Sequence, residues 1–417
     1  MNIPQLYRYY SEHFLADTDT RSIRKNTMFF ALKGPNFNGN TFAEKALSLG
    51  ASYAIVDEKE YQTHPNILLV SDVLTTLQDL AKYHRQLLNT TIIGLTGSNG
   101  KTTTKELIHA VLSKKYNTVA TKGNLNNHIG VPLTLLAMHP DTEMGIVEMG
   151  ANHQKEIEFL SNICAPDYGY ITNFGKAHLE GFGGVEGVIA GKSELYTFLQ
   201  THNSTAFINP EDPLQVSKTK AFPTIPFADD VQLIAAAPFV AVVFKNQTIQ
   251  SNLVGSYNYA NIAIAITVGN YFKVPQKDIQ VAIENYQPTN NRSQYIKQRT
   301  NKIILDAYNA NPSSIQVALE NFKAVSAAQK VVILGDMFEL GSESRKEHQN
   351  IIQLALSMEF KHCYFIGAHF YQTQENAHLF QTFEDFAAYL KGHAISNSTV
   401  LIKGSRGMRL ERVMSLL

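Results

Sequence analysis

The residues with the clearest chemical potential form a glycine-rich turn at Gly97–Thr103, with the sequence GSNGKTT. An apolar, β-branched run, Thr91–Leu95, precedes this turn, and a helical pattern follows it. In a strand–turn–helix arrangement, backbone N–H groups and the helix N-terminus converge on a phosphate. Lys101 can then reach the outer phosphates, and Thr102 can ligate Mg²⁺. The turn therefore predicts a nucleoside triphosphate as ligand.

The turn departs from the usual phosphate-binding pattern at one position. That pattern has a glycine five residues before Gly100, whereas this chain has Leu95 there and its glycine at Gly94. We interpret the loop as a variant of the common form. The alternative is a surface turn that carries a lysine by chance, and the strand before it and the helix after it argue against that interpretation.

A carboxylate is predicted at the carboxyl end of the strand Gly145–Met149, where α/β sheets present their ligands. Triphosphate chemistry needs a metal, because negative charge builds on the transferred phosphoryl group. We therefore predict that Glu148 and Thr102 supply oxygen ligands to Mg²⁺. The alternative role for Glu148 is a solvated strand end.

A second polar group follows the predicted strand Tyr168–Thr172. Asn173, His178 and Glu180 lie within eight residues of one another, close enough to converge on a second metal or on a developing oxyanion. The neighbouring residues 181–187 (GFGGVEG) superficially match a dinucleotide fingerprint, but their spacing is wrong and no strand precedes them. We predict a flexible loop there.

Composition favours a multidomain protein that acts on small molecules. The chain has 417 residues, with 36 basic and 36 acidic side chains, so nothing electrostatic recommends nucleic acid or an anionic membrane as partner. The two cysteines, Cys164 and Cys363, are far apart, which is typical of a reducing compartment and predicts a cytoplasmic location. No apolar run approaches the ~20 residues of a membrane span. We expect a monomer.

Alternating strand and helix patterns predict three α/β units. These are a small N-terminal unit at 1–86, a central P-loop-type unit with a mainly parallel sheet at 87–288, and a C-terminal Rossmann-like unit at 289–417. The third begins near the turn Pro288–Arg292. The predicted strands are 28–31, 53–56, 67–70, 91–95, 145–149, 168–172, 302–305, 331–334, 362–366 and 400–402, and predicted helices lie at 41–49 and 75–88, after 101 and from near 132.

Five motifs along the chain together resemble those of the Mur ligases, the amide ligases of peptidoglycan synthesis. They are Gly97–Thr103, Gly123–Asn127, Glu148–His153, Thr172–His178 and Asp306–Pro312. Within the family, the segments Tyr308–Pro312 and Met337–Gly341 resemble the member that adds a dipeptide, and the Asp-Asn-Pro-Arg signature of the preceding ligase is missing. The resemblance spans nearly the whole chain.

The resemblance implies that the protein joins D-alanyl-D-alanine to a UDP-N-acetylmuramoyl-tripeptide through an acyl phosphate, with ATP and Mg²⁺. It implies Lys101, Asn173, His178 and Lys192 as catalytic residues. Spacing alone would make Lys192 an ordinary helix residue, but in the family the matching lysine is carbamylated and, with His178, holds a second Mg²⁺. The implied metal ligands are thus Thr102, Glu148, His178 and Lys192.

The resemblance also implies two sets of binding residues. Nucleotide binding would use Gly97, Ser98, Asn99, Gly100, Lys101, Thr102, Thr103, Asn258, Asn261, Arg292 and Asp306. Binding of the two peptide substrates would use Thr20, Arg21, Asn38, Asn40, Asn124, Asn126, Asn127, Asn309, Asn311, Lys403, Ser405 and Arg406. The chain departs from the family at Tyr257, where histidine is usual.

Three other functions stay open on the sequence. One is another amide ligase of the same fold, such as an earlier Mur ligase or a folylpolyglutamate synthase. A second is a nucleotide-gated binding protein or a small-molecule kinase, and a third is a catalytically inactive scaffold. Release of phosphate that depends on an amine substrate distinguishes a ligase from the other two, and the amine that supports turnover identifies the ligase.

Overall fold

Each third of the chain builds a layered α/β structure around its own sheet, as expected for the predicted fold class. The computed structural model describes residues 1–289 and 291–417. The two largest sheets have six strands each, and a four-stranded sheet lies near the N-terminus. The predicted α/β class with mainly parallel sheets is confirmed. The bounds of the three units stay a prediction, and position 290, within the predicted junction turn, lies outside the described residues.

The N-terminal segment forms a four-stranded parallel sheet with strand order β1-β2-β5-β6. Its elements are α1 (Ile3–Tyr10), β1 (Ala16–Asp17), β2 (Met28–Phe30), β3 (Lys33–Gly34), β4 (Phe37–Asn38), α2 (Ala43–Ser48), β5 (Tyr53–Val56), β6 (Ile67–Leu69) and α3 (Val73–Leu87). The helix predicted at 41–49 begins later, because Gly39–Phe42 forms a 3₁₀ turn. Helix α3 carries the chain onward and packs against helices of the central segment.

The central segment holds a six-stranded sheet whose described strands are all parallel, in the order β12-β11-β10-β7-β9-β8. The elements up to the last strand of this sheet are β7 (Thr91–Thr96), α4 (Lys101–Leu112), β8 (Thr118–Ala120), α5 (Gly130–Leu135), β9 (Met144–Glu148), α6 (Glu156–Cys164), β10 (Tyr168–Ile171), α7 (Leu179–Phe182), α8 (Val185–Thr201), β11 (Thr205–Ile208), α9 (Pro213–Lys218) and β12 (Thr224–Pro226). Strand β7 lies between β9 and β10, so the carboxyl ends of these three strands meet at one edge of the sheet. Among the described residues, no helix is both long and apolar enough to cross a membrane.

A three-stranded antiparallel sheet follows, which the sequence patterns did not predict. It contains β13 (Val231–Ala235), β14 (Ala241–Phe244) and β15 (Gln247–Gln250), and the helices α10 (Asn258–Tyr271) and α11 (Gln276–Asn285) come next. The two-residue turn between β14 and β15 is Lys245-Asn246, and both residues have positive φ angles, 48° and 62°. Hairpin turns of this kind usually contain glycine. Because this turn has none, the hairpin was not predicted from the sequence.

The C-terminal segment forms the second six-stranded sheet, in the order β16-β17-β21-β18-β19-β20. Its elements are β16 (Gln294–Gln298), β17 (Asn301–Asp306), α12 (Pro312–Ala324), β18 (Lys330–Gly335), α13 (Ser344–Ser357), β19 (His362–Ile366), α14 (Ala368–Tyr371), β20 (His378–Phe380), α15 (Phe383–Gly392) and β21 (Thr399–Lys403). Strands β16 and β17 are antiparallel and the other described pairs are parallel. The four predicted strands are confirmed, while β16 and β20 were not predicted.

The flexible loop predicted at 181–187 is wrong, because α7 ends and α8 begins within it. One glycine of this stretch and one in the next turn of α8 permit close packing rather than mobility. A Cβ on Gly187 would lie 1.8 Å from the carbonyl oxygen of Phe182. A Cβ on Gly191, one turn further along α8, would lie 2.4 Å from the ring of the same residue. Glycine at these sites brings α7 against α8 and fixes the segment that carries His178.

The buried carboxylate of Asp336 provides a test of the C-terminal fold. Asp336 is 2% exposed, and its oxygens accept hydrogen bonds from the backbone N–H groups of His369 and Phe370 at the start of α14, at 3.0 and 2.9 Å. Asp336→Ala leaves both donors unpaired, which should cost about 2–4 kcal/mol. We expect a thermal unfolding midpoint lower by about 5 °C or more.

The matched control is Asp229→Ala, which removes a carboxylate from an exposed position. A surface substitution of this kind changes stability by no more than about 0.5 kcal/mol. Circular dichroism during heating measures both variants. Equal midpoints for the two variants would contradict the assigned role of Asp336.

Candidate active site

A cavity of about 910 Å³ lies where the carboxyl ends of the central strands face the C-terminal sheet. Of the predicted site residues it is lined by Ser98, Asn99, Gly100, Lys101, Thr102, Thr103, Asn124, Asn126, Asn127, Glu148, Asn173, His178, Asn258, Asn261, Arg292, Asp306, Asn309, Lys403 and Arg406. Those that do not line it are Thr20, Arg21, Asn38, Asn40, Gly97, Lys192, Asn311 and Ser405. Residues far apart in the chain thus meet around one space large enough for a nucleotide and part of a second ligand.

The glycine-rich turn leads from β7 into α4, as predicted. Gly100 has a φ angle of +83° and caps the helix, and a Cβ at this residue would lie 2.8 Å from Oδ1 of Asn261. Nζ of Lys101 donates to the carbonyl oxygens of Gly97, at 2.6 Å, and Ser98, at 3.2 Å. The ammonium group is therefore folded over the loop at the N-terminus of α4, where an anionic ligand is favoured.

The shape of this turn depends on Asn99 and on residues that follow β10. The carbonyl oxygen of Asn99 accepts from Oγ1 of Thr172, at 2.6 Å, and from Nδ2 of Asn173, at 3.0 Å. The amide N–H of Asn99 donates back to Oδ1 of Asn173 at 3.2 Å. Asn173 thus braces the phosphate loop through its side chain, in addition to lining the cavity.

Glu148 lies at the centre of a group of buried polar side chains. Its carboxylate accepts from Oγ1 of Thr102 at 3.0 Å and from Nδ2 of Asn126 at 2.8 Å, and Nζ of Lys105 lies 3.9 Å away. Burial lowers the pKa of Lys101 and of Lys105, and the Glu148 carboxylate acts in the opposite direction on both. A carboxylate beside a threonine hydroxyl is a donor set that suits Mg²⁺, which is commonly held by one or two carboxylates and substrate phosphates.

The two asparagines of α10 that were predicted to bind nucleotide, Asn258 and Asn261, are hydrogen bonded to each other, and Asn261 is also bonded to α4. Oδ1 of Asn261 accepts from Oγ1 of Thr104 at 2.9 Å, and its Nδ2 donates to Oδ1 of Asn258 at 2.8 Å. The preceding residue, Tyr257, donates or accepts a 2.7 Å hydrogen bond with Oγ of Ser293. Tyr257 therefore links the start of helix α10 to the C-terminal segment.

The C-terminal wall of the cavity is built around Asp306 and Tyr308. Nζ of Lys403 lies 2.6 Å from Oδ2 of Asp306. The Arg292 guanidinium lies 3.5 Å from the centre of the Tyr308 ring, and that of Arg406 lies 5.2 Å from it. Cation–π contacts of this kind stabilise a cation by about 0.5–2 kcal/mol. Two positively charged groups are therefore held around one ring beside the phosphate loop.

Lys192 is fully buried in α8 and lies behind the cavity wall. Its Nζ donates to the carbonyl oxygen of Ala151 at 3.1 Å and lies 4.8 Å from the centre of the Phe182 ring. Burial holds the pKa of Lys192 well below its usual range, and nearby Lys101 lowers it further. Among residues 1–289 and 291–417, no group of three or more His, Cys, Asp and Glu side chains is arranged to hold a metal ion. A second metal at this place would need an oxygen donor on Lys192.

Four predicted residues of the N-terminal segment lie apart from the cavity. Arg21 is exposed and paired with Asp19. Asn38 donates to Glu58, whereas Asn40 is fully buried and exchanges hydrogen bonds with Asp57 through both ends of its amide. The side chain of Asn40 therefore shapes this loop. Thr20 precedes Arg21 in the same 3₁₀ turn.

Contacts between the 176–180 loop and the C-terminal segment close one side of the cavity. Nζ of Lys176 lies 2.8 Å from Oε1 of Glu347, and its backbone N–H donates to Oγ of Ser313 at 2.8 Å. Nδ1 of His178 is hydrogen bonded to Oε2 of Glu339. This bond lowers the pKa of the Glu339 carboxyl. Nδ2 of Asn311 also crosses between the segments, to Oδ1 of Asn99 at 2.8 Å.

The sequence reasoning missed several residues around the cavity, and Lys105, Tyr308 and Glu339 are those with the clearest contacts. Lys105 lies one helical turn after Lys101, so the i, i+4 spacing could have indicated a shared face. Tyr308 belongs to a motif that was recognised. An aromatic residue between polar ones does not, however, indicate that two arginines from elsewhere in the chain contact its ring. Glu339 follows the carboxyl end of β18 by a few residues, and that placement was its only signal.

Two family models match most of this chain. Residues 95–269 match the Mur ligase middle domain, and residues 291–406 match the Mur ligase, glutamate ligase domain. The UDP-N-acetylmuramoyl-tripeptide–D-alanyl-D-alanine ligase of Bacillus subtilis is 34% identical over 95% of this chain and 91% of its own length.

Solved structures of proteins from the same family are similar to this one. A crystal structure of MurF from Acinetobacter baumannii has a TM-score of 0.84 and 29% identity, and the match covers 96% of this chain and 92% of that one. MurF from Thermotoga maritima, crystallised with ADP, has a TM-score of 0.83 and 26% identity over 96% of each chain. Sequence and structure therefore show that the chain belongs to the Mur ligase family.

Proposed function

We propose that this Mur ligase uses ATP to join D-alanyl-D-alanine to a UDP-N-acetylmuramoyl-tripeptide. The observation that carries the proposal is the single cavity that brings the phosphate loop, Glu148 and the polar ends of the C-terminal strands together. The relatives named for this reaction match along nearly the whole chain. The reaction forms an amide between the terminal carboxylate of the tripeptide and the amine of the dipeptide.

The phosphate loop and its surroundings would hold the triphosphate. Backbone N–H groups at the start of α4 would bind phosphate oxygens, and Lys101 would turn from the loop carbonyls to the outer phosphates. Asn258, Asn261, Arg292 and Asp306 would surround the rest of the nucleotide. An anion in this place would also compensate the buried charges of Lys101 and Lys105.

Thr102 and Glu148 would hold Mg²⁺, and His178 with a carbamylated Lys192 would hold a second ion. Bound Mg²⁺ would neutralise charge on the phosphoryl group that moves to the tripeptide carboxylate. The Lys192 amine is suited to carbamylation, since burial lowers its pKa and favours the neutral amine. Its nitrogen would form a bond to the carbon of CO₂, one C=O π bond would open to give a carboxylate, and a proton would leave to solvent.

The proposed reaction has two chemical steps, and both would take place in the cavity between the central and C-terminal segments. The tripeptide carboxylate would attack the γ-phosphoryl group of ATP, break its bond to the bridging oxygen and release ADP. The dipeptide amine would then add to the acyl carbon, and the tetrahedral intermediate would lose a proton and phosphate to give the amide. Water would hydrolyse an exposed acyl phosphate, so the two segments around the cavity must exclude it. The pairs Lys176–Glu347 and Asn99–Asn311 hold these segments together.

The remaining predicted residues would bind the two peptide substrates. Asn124, Asn126, Asn127, Asn309, Asn311, Lys403, Ser405 and Arg406 would lie near the tripeptide or dipeptide, and Thr20, Arg21, Asn38 and Asn40 near the uridine diphosphate. For the N-terminal residues to take part, the substrate would have to extend out of the cavity, because none of them lines it. Asn40 and Asn311 would act by shaping loops, since their amides are bonded within the protein.

Phosphate release from ATP tests the proposed function directly. Purified protein is assayed with UDP-N-acetylmuramoyl-tripeptide and Mg²⁺, with D-alanyl-D-alanine in one arm and single amino acids in the other. We expect turnover with the dipeptide and a product heavier than the tripeptide by one dipeptide residue. Turnover that needs only a single amino acid would show that the chain is a different amide ligase.

Lys101→Ala should lower the rate of the same assay by roughly 10²–10³, because it removes a cation from the developing phosphoryl charge. Lys114→Ala, at an exposed position after the end of α4, is the matched control and should leave the rate unchanged. The measured quantity is kcat for dipeptide ligation. If Lys101→Ala retained the full rate, the assigned role of the phosphate loop would be wrong.

Carbamylation of Lys192 predicts an NMR signal that the unmodified protein lacks. Protein equilibrated with ¹³C-bicarbonate should show a carbamate carbon resonance, and Lys192→Met should remove that resonance and most of the activity. Lowering the pH should also weaken the signal, since carbamates lose CO₂ when protonated. A wild-type spectrum with no carbamate resonance, in protein that ligates at full rate, would refute this assignment.

A further inference from the structure

The contact between His178 and Glu339 joins a cavity residue of the central segment to a carboxylate of the C-terminal segment. Nδ1 of His178 is hydrogen bonded to Oε2 of Glu339, and both residues line the cavity. We propose that Glu339 is a positioning residue that keeps the proton of His178 on Nδ1 and leaves Nε2 for the ligands in the cavity. This inference rests on the proposed function, which gives His178 a role at the phosphoryl group.

The backbone on both sides of the contact is held in an unusual conformation. His178 has a φ angle of +54° and Glu339 one of +61°, in the left-handed region that residues with a side chain rarely adopt. The N–H of Glu180 donates to the carbonyl oxygen of Glu339 at 3.3 Å. Two strained residues that face each other persist only when the surrounding fold determines their conformation. The fold therefore determines this contact between the central and C-terminal segments.

The chemistry of the pair determines which atom of the imidazole reaches the ligand. An ionised carboxylate only accepts hydrogen bonds, so Nδ1 of His178 must carry the proton. In the neutral ring, Nε2 then has a free lone pair and can bind a metal ion or accept a proton. A carboxylate behind a histidine orients metal ligands in the same way in many proteins, where it raises the basicity of the ring.

The exposure of the pair argues against a role limited to stability. The side chain of Glu339 is 54% exposed and that of His178 is 20% exposed. Partly solvated ion pairs contribute little to folding. Because the carboxylate comes from the C-terminal segment, His178 would be oriented only when that segment is seated on the central one. Glu339 would thus orient His178 for catalysis only when the two segments are packed together as they are in this structure.

Three variants test the proposal by steady-state kinetics of the dipeptide ligation. Glu339→Ala should lower kcat about 10–100-fold, the usual effect of losing such a partner, with little change in KM for ATP. Glu339→Gln should recover most of the rate, because its amide oxygen accepts the same hydrogen bond. Glu343→Gln, an exposed carboxylate on the same surface that pairs only with Lys346 among the described ion pairs, is the matched control and should match the wild type. A Glu339→Ala variant with wild-type kcat would overturn the proposal.

A measurement without substrate separates this inference from the proposed function. In ¹⁵N-histidine-labelled protein at about pH 8, where an ordinary imidazole is neutral, His178 should show the Nδ1–H tautomer, and its signals are identified by their loss in His178→Gln. In Glu339→Ala the signals should shift toward the Nε2–H tautomer, which a histidine side chain without such a partner prefers.

The two failures have different signatures. An unchanged His178 tautomer in Glu339→Ala would refute the positioning role even if the wild type ligates the dipeptide. Conversely, a tautomer that depends on Glu339 in a protein without dipeptide ligation would refute the proposed function and leave the contact intact. Circular dichroism of each variant confirms that it is folded before either result is read.

Discussion

The hydrogen bonds around Asn99 constrain the whole site. Its backbone is bound by Thr172 and Asn173 after β10, and its side chain is bound by Asn311 before α12. The phosphate loop therefore cannot take its shape from β7 and α4 alone. A loop held from two other parts of the chain keeps a fixed shape beside the cavity, which is the preorganisation that charge-stabilising sites need.

Buried charge is distributed unevenly around this loop. Lys101, Lys105 and Lys192 lie near one another, and burial lowers the pKa of all three. Glu148 opposes this shift at Lys101, and Glu148 and Glu106 oppose it at Lys105. A ligand with several negative charges would favour the charged form of both lysines, whereas an uncharged ligand of the same size would not. The pattern suits ATP and explains why the lysines can remain inside the protein.

The parts of the site that depend on local sequence were predictable, and the parts that depend on long-range contacts were not. The strand, turn and helix around Lys101 were predicted because glycine spacing and apolar periodicity act over a few residues. Glu148 was found since strand ends in parallel sheets share an edge. Three other features depend on contacts between residues that are far apart in the sequence and so gave no local signal. They are the burial of Lys192 against Ala151, the two arginines on Tyr308 and the pairing of His178 with Glu339.

The strand order of the central sheet also determines at what stage of synthesis ATP binding can stabilise the protein. Strand β7 pairs with β9 and β10, which follow it in the chain, and Gly100 lies against Asn261, which comes later still. The loop's contacts are completed only when Asn261 and Asn311 have been synthesised. ATP can therefore stabilise the fold only late in synthesis, after most of the chain has been made.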